Sequence, residues 1–215
     1  MIFATKTHPD LWQKHRWFQG RPGSGQIASL YACRALWTWL IRRRPKRILE
    51  IGGGIGCASA VLARWIIHEQ EQVEVCVVED DSWCLAEWRR NIEAPLTMRL
   101  LASVPPGVWD FVVLDGEQAP ATLWSRLGPR AVVFVEGNRR AQRAQITRAL
   151  RPMSSVMCDP EEGRAFCWAP WRPADRTKGV WVLQVDPAPW ERAWFLLVRG
   201  REWVRDLPRR LLGLP

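Results

Sequence analysis

The stretch Arg47-Ile-Leu-Glu-Ile-Gly-Gly-Gly-Ile-Gly56 runs directly into Cys57-Ala-Ser-Ala-Val-Leu-Ala-Arg-Trp-Ile-Ile67. Ile48, Leu49 and Ile51 form a short apolar run, which reads as a buried strand. Glycines at 52, 53, 54 and 56 follow at once. They let the backbone turn sharply and let a ligand lie against bare main chain. Val61, Leu62, Trp65 and Ile66 then recur at helical spacing. The unit is strand, glycine loop, helix, and that context gives weight to a glycine cluster that would be weak evidence alone.

The spacing narrows the ligand. A dinucleotide loop wants Gly-x-Gly-x-x-Gly. Counted from Gly52, the third glycine falls on Cys57; counted from Gly54, it falls on Ser59. The pattern that fits is acid-x-Gly-x-Gly-x-Gly, filled by Glu50, Gly52, Gly54 and Gly56. Outward from it, Val73-Glu-Val-Cys-Val-Val-Glu79-Asp80-Asp81 is a second apolar strand ending in acids. Residues 97–101 make a short third strand, followed by Ala102 and Ser103. Trp109-Asp-Phe-Val-Val-Leu-Asp115 and Arg130-Ala-Val-Val-Phe-Val-Glu136 supply a fourth and a fifth. Strands alternating with helices predict a mostly parallel sheet wrapped by helices, with ligands outside the carboxyl ends of the strands. Glu50, Glu79, Ser103, Asp115 and Glu136 all fall at such ends.

The spacing at Glu50, Gly52, Gly54 and Gly56 resembles motif I of the class I S-adenosylmethionine-dependent methyltransferases. The resemblance covers residues 24–150 and implies a single Rossmann-like α/β domain, with a mostly parallel seven-stranded sheet and helices on both faces. It implies S-adenosylmethionine as cofactor, bound by Glu50, Gly52, Gly54, Gly56, Glu79 and Ser103. A carboxylate at 79 can accept hydrogen bonds from both ribose hydroxyls. Asp115 matches the acid that ends the family's fourth strand, where methyl transfer happens. Gly25-Gln26, ahead of an expected helix over 26–43, resembles the small-molecule O-methyltransferases of the catechol type. That loop either covers the cofactor or simply starts the helix.

The catechol-type enzymes hold a divalent metal with an Asp at the fourth strand and an Asp-Asn pair at the fifth. Here Asp115, Glu136 and Asn138 are the matching candidates, and hard oxygen ligands suit magnesium. The sequence departs from the pattern at Glu136-Gly137-Asn138, which has an added residue, and at Gln118, where the family places a catalytic lysine. Asp115 can then serve as the general base without metal, and His8 or His15 can fold over the site. The Asp115-Gly-Glu-Gln118 sequence lacks the Asp/Asn-Pro-Pro-aromatic motif of amino-group methyltransferases acting on nucleobases, which counts against base methylation.

The 215 residues suffice for one α/β domain. The expected organisation is an N-terminal cap segment over 1–25, the methyltransferase domain over 26–186 and an amphipathic basic tail over 187–215. No run spans a bilayer, and no apolar signal segment begins the chain. The six cysteines show no C-x-x-C spacing, which reads as reduced thiols in a cytoplasmic protein. The net charge of +9 favours anionic partners, nucleic acid or an acidic membrane surface among them. The Arg42–Arg47 basic cluster reads as a solvated face. Residues 139–150 read as a helix, and 154–158, 164–168 and 180–185 as short edge strands. In the tail, Leu196, Trp203, Leu207 and Leu211 recur at helical spacing among arginines, so the tail can dock on its own domain, on a second subunit of a homodimer, or on a membrane. Of the 15 tryptophans, Trp168, Trp171, Trp190, Trp194 and Trp203 wall a pocket for a flat acceptor or pack a C-terminal layer.

The reading is an S-adenosylmethionine-dependent methyltransferase acting on an oxygen of a small or lipid-like acceptor. The alternatives are an RNA methyltransferase and a non-catalytic protein of the same fold that binds a membrane or partner through its tail.

Overall fold

A computed structural model describes residues 9–69, 72–116, 119–137, 142, 145, 146, 149, 155–158 and 180–185. Helix α1 (Pro9–Gln19) and a short 3-10 turn (Ser24–Gln26) precede α2 (Leu30–Arg43). Then come β1 (Arg47–Ile51), α3 (Cys57–Glu69), β2 (Glu74–Val78), α4 (Ser82–Asn91), β3 (Met98–Leu101) and β4 (Trp109–Leu114). A 3-10 segment (Ala121–Arg126) leads into β5 (Leu127–Glu136), followed by β6 (Ser155–Cys158) and β7 (Val180–Gln184). Between β5 and β6, residues 142, 145, 146 and 149 are helical.

The seven strands form one sheet in the order β3-β2-β1-β4-β5-β7-β6. The pairs from β3 through β5 are parallel, while β7 runs antiparallel to both β5 and β6. The order reverses between β1 and β4, so the crevice at their carboxyl ends is the switch point where such sheets take ligands.

Side-chain alternation explains the layering. Ile48, Val75, Val77, Phe111, Val113, Val132 and Phe134 join a core with α1, α2, α3 and Trp88 of α4. Their neighbours Leu49, Cys76, Val78, Val112, Leu114, Val133 and Val135 build the opposite core with Leu123 and Ile146. Both faces are therefore buried, which is why these strands read as unbroken apolar runs and not as alternating ones.

Helix α2 begins later than the expected residue 26. The Ser29 side chain accepts a hydrogen bond from the Ala32 amide at 3.1 Å, so the serine caps the helix and residues 24–26 stay a separate turn. The Arg42–Arg47 cluster is more than a solvated face. Arg47 donates through Nε to Glu74 at 2.9 Å and through Nη1 to the Val108 carbonyl at 2.9 Å, and it lies over the Trp109 ring. It ties the amino ends of β1, β2 and β4 together, away from the ligand crevice. The expected strand over 164–168 and the tail lie outside the described residues. Among the described residues, no helix is long and apolar enough to cross a membrane.

Candidate functional site

The loop after β1 is pinned on both sides. The Gly52 and Gly53 amides donate to the Val78 carbonyl at 3.0 and 3.2 Å, and the Asp115 amide donates to the Ile51 carbonyl at 2.9 Å. The exits of β1, β2 and β4 thus form one rigid rim. Gly52 has φ +86°, and a Cβ there would sit 2.4 Å from the Asp115 carbonyl oxygen, so the close passage of the two exits requires glycine. Gly54 differs: its φ is +51°, but a Cβ would meet nothing within 4 Å. The space over Gly54 is open, which is what a ligand lying on bare backbone needs.

Beneath the loop lies Glu50, wholly buried at the end of β1. Its Oε2 accepts from Ser59 Oγ at 2.7 Å, and Ser59 Oγ accepts from Trp88 Nε1 at 2.7 Å. Oε1 is buried with no hydrogen-bond partner among the described residues. Loss of water around the carboxylate, with the Glu79 charge adding to it, pushes the Glu50 pKa up to about 8 against the opposing Ser59 bond. A carboxylate with an unspent buried oxygen under a glycine loop suits a cationic group on the ligand.

Glu79, at the exit of β2, is also mostly buried. Its Oε2 accepts from the Gly54 amide at 2.6 Å, and its Oε1 accepts from the Asp80 and Asp81 amides, both at 2.9 Å. A carboxylate has about four acceptor sites, so three bonds leave room for one more. Beyond it opens a cleft of about 590 Å³ lined by Gly52, Glu79, Ala102, Ser103, Thr122 and Arg126, among others. Glu79 and Ser103 thus line the same cleft as Gly52. Arg126, whose Nη1 donates to the Pro105 carbonyl at 3.3 Å, has no counterpart in the sequence reading. Nor do Ser59 and Trp88: nothing in their spacing signals that they would meet under the loop.

On the other side of the rim, Asp115 and Glu136 are half-buried at the exits of β4 and β5. The Ser29 amide donates to Glu136 Oε1 at 3.4 Å, which brings the start of α2 to this edge. Asp115 is close enough to act on Cys57: contact with the Cys33 thiol, burial, and the Asp115 and Glu50 charges all push the Cys57 thiol up. Cys33 and Cys57 are free buried thiols 3.9 Å apart.

Of the residues expected to fold over the site, His15 is buried and its Nε2 lies 3.0 Å from the Ala28 carbonyl oxygen. Burial lowers its pKa. That contact fixes α1 against the start of α2 and explains the imidazole structurally. His8, Gln118 and Asn138 lie outside the described residues. Among the described residues, no group of three His, Cys, Asp or Glu side chains gathers in a way that could hold a metal.

No family model and no curated protein matches the sequence. Solved structures do match the fold. The S-adenosylhomocysteine-bound methyltransferase PaMTH1 of Podospora anserina is similar at 14% identity and TM-score 0.60, over 83% of this chain and 88% of that one. An O-methyltransferase of Bacillus cereus in complex with S-adenosylhomocysteine is similar at 15% identity and TM-score 0.58, over 85% and 93% of the two chains. TomG of Streptomyces achromogenes, an O-methyltransferase of tomaymycin synthesis in complex with S-adenosylmethionine, is similar at 16% identity and TM-score 0.54, over 87% and 92%. The chain has the Rossmann-like fold of these methyltransferases.

Proposed function

We propose that this chain is an S-adenosylmethionine-dependent methyltransferase that acts on an oxygen of a small or lipid-like acceptor. One observation carries the reading. The loop at the switch point leaves open space over Gly54, flanked by Glu79 and underlain by the buried Glu50 with an unspent oxygen. The cofactor fits that donor set: a nucleoside with two ribose hydroxyls, a sulfonium and an ammonium has no pyrophosphate to seat, and it matches carboxylates better than a phosphate would.

In this reading Glu79 takes one ribose hydroxyl, Ser103 sits on the adenine side of the cleft, and Gly52, Gly54 and Gly56 form the backbone floor. Glu50 holds the loop through Ser59 and faces the cationic end of the ligand. S-adenosylmethionine, when bound, supplies an electrophilic methyl group on sulfur. Asp115, at the mouth of the rim, removes the proton from the acceptor hydroxyl, and the rim between β4 and α2 holds that oxygen in line. Asp115, Glu136 and Asn138 are the side chains a magnesium ion would use. Residues 26–186 form the catalytic domain, placed in the cytoplasm.

Asp115→Asn tests the role directly. Transfer of labelled methyl to a panel of phenols, catechols and hydroxylated lipids is expected to fall by about 10²–10⁴-fold. Affinity for S-adenosylhomocysteine is expected to stay near that of the wild type. A large loss of affinity would show that Asp115 serves binding and not proton removal.

A further inference from the structure

Helix α1 has two unlike faces. Leu11, His15 and Phe18, at helical spacing, are buried against the domain. The outward face carries Trp12, Gln13, Arg16 and Trp17. Trp12 is 44% exposed and Trp17 37% exposed, on a helix that already has an apolar face to bury. Past the helix comes Arg21, and then Gly23 lies against the ring of Trp83, which is 45% exposed. Exposed tryptophans gathered on one segment need a reason, because scattered single residues do not explain them.

The charges beside them are mostly positive. Lys14, Arg16 and Arg21 form no ion pair among the described residues, whereas Asp10, the acid of the helix, is paired with Arg64 at 2.5 Å. Glu93 is the acid that faces Lys14. Each cation rests instead on an aromatic ring. Arg16 lies 4.4 Å from the Trp12 centroid, Lys14 4.3 Å and Arg21 3.8 Å from the Trp17 centroid.

We propose that the outward face of α1, extended by Arg21, is a docking surface for an anionic phospholipid bilayer, with Trp12 and Trp17 at headgroup level and Arg16 and Arg21 against lipid phosphates. Charge complementarity selects an anionic partner: Arg16 and Arg21, in no ion pair among the described residues, favour a surface of fixed negative charge. Ring occupancy selects lipid over nucleic acid. Stacking of bases needs free aromatic faces, but Trp12 carries one cation, while Trp17 carries two and the edge of Phe18 at 4.9 Å. A tryptophan in the interface instead uses its amphipathic ring beside cations that hold phosphates. The inward face stays packed on the domain, so docking requires no unfolding of α1.

The test is co-sedimentation of the full-length protein with vesicles of phosphatidylcholine alone and with one third phosphatidylglycerol. Binding is expected to the anionic vesicles only, and to weaken as salt rises. Arg16→Gln and Arg21→Gln should each weaken it about fivefold, and Trp12→Ala with Trp17→Ala should weaken it further. These side chains are on the outside, and unchanged thermal unfolding and S-adenosylhomocysteine affinity would verify that the variants fold. Equal binding to both vesicle types, no binding to either, or full binding by the α1 variants would overturn the proposal. Tighter capture of a single-stranded oligonucleotide, lost in the tryptophan variants, would overturn it in favour of nucleic acid.

Discussion

Glu50 and Gly54 make opposite demands on the same few ångströms of chain, and each gives a distinct prediction. The Glu50 pKa is raised from 4.5 to about 8 by burial. The fold therefore holds this proton more tightly than the unfolded chain does. That contribution to stability is complete below the ordinary carboxylate pKa and is lost as pH rises through about 8. Glu50→Gln should flatten the fall in melting temperature across this window, read by thermal denaturation at a series of pH values. An unchanged slope would mean that Glu50 is ionised in the fold. A cation arriving beside Glu50 draws its pKa down, so binding of S-adenosylmethionine should release a proton and tighten between about pH 6 and 8. Calorimetry in buffers of different ionisation enthalpy measures that release. At Gly54 a valine would be placed at positive φ and would fill the open space over the loop. Gly54→Val should lose measurable cofactor binding while keeping its far-UV circular dichroism; retained affinity would contradict the ligand's place on this loop. The sequence disclosed Glu50, Gly54 and Glu79 through spacing, because chemistry on a strand-loop-helix unit fixes distance along the chain. It did not disclose Ser59, Trp88 or Arg126, whose positions depend on how α3, α4 and the 121–126 turn pack.

Among the elements, the strands were the most legible. Both sheet faces are buried, so β1, β2, β4 and β5 read as apolar runs, and their terminal acids mark the carboxyl ends. Helix α1 was not legible. Its inner face is completed by a histidine, and two tryptophans point outward, so its hydrophobic pattern runs against its burial. Ile27 extends the apolar periodicity ahead of the true cap at Ser29, so the sequence predicts too early a start for α2. Ser29→Ala removes the bond to the Ala32 amide and should cost about 1 kcal/mol, seen as a lower denaturant midpoint with an unchanged slope. The same variant keeps the backbone amide that Glu136 accepts from, so turnover should change little. A large loss of turnover would show that the start of α2 must be held firmly for catalysis.

At the scale of the molecule, the sheet order and the crossing between β1 and β4 gather Glu50, Glu79, Ser103 and Asp115 at one edge, although 65 residues of chain separate the first from the last. Among the described residues, several cations lie elsewhere. Arg47 spends its charge on Glu74 and the amino ends of the strands, while Arg16 lies on the outside of α1 and Arg21 just past it. A basic protein with an acidic cofactor rim is then no contradiction: the rim meets a cationic ligand, and the outer face meets an anionic surface. The most direct measurement is calorimetric titration of the purified protein with S-adenosylmethionine and S-adenosylhomocysteine, with and without magnesium. Micromolar, one-to-one binding that is lost in Gly54→Val is the predicted result. No binding by a protein that unfolds cooperatively on heating would contradict the cofactor assignment.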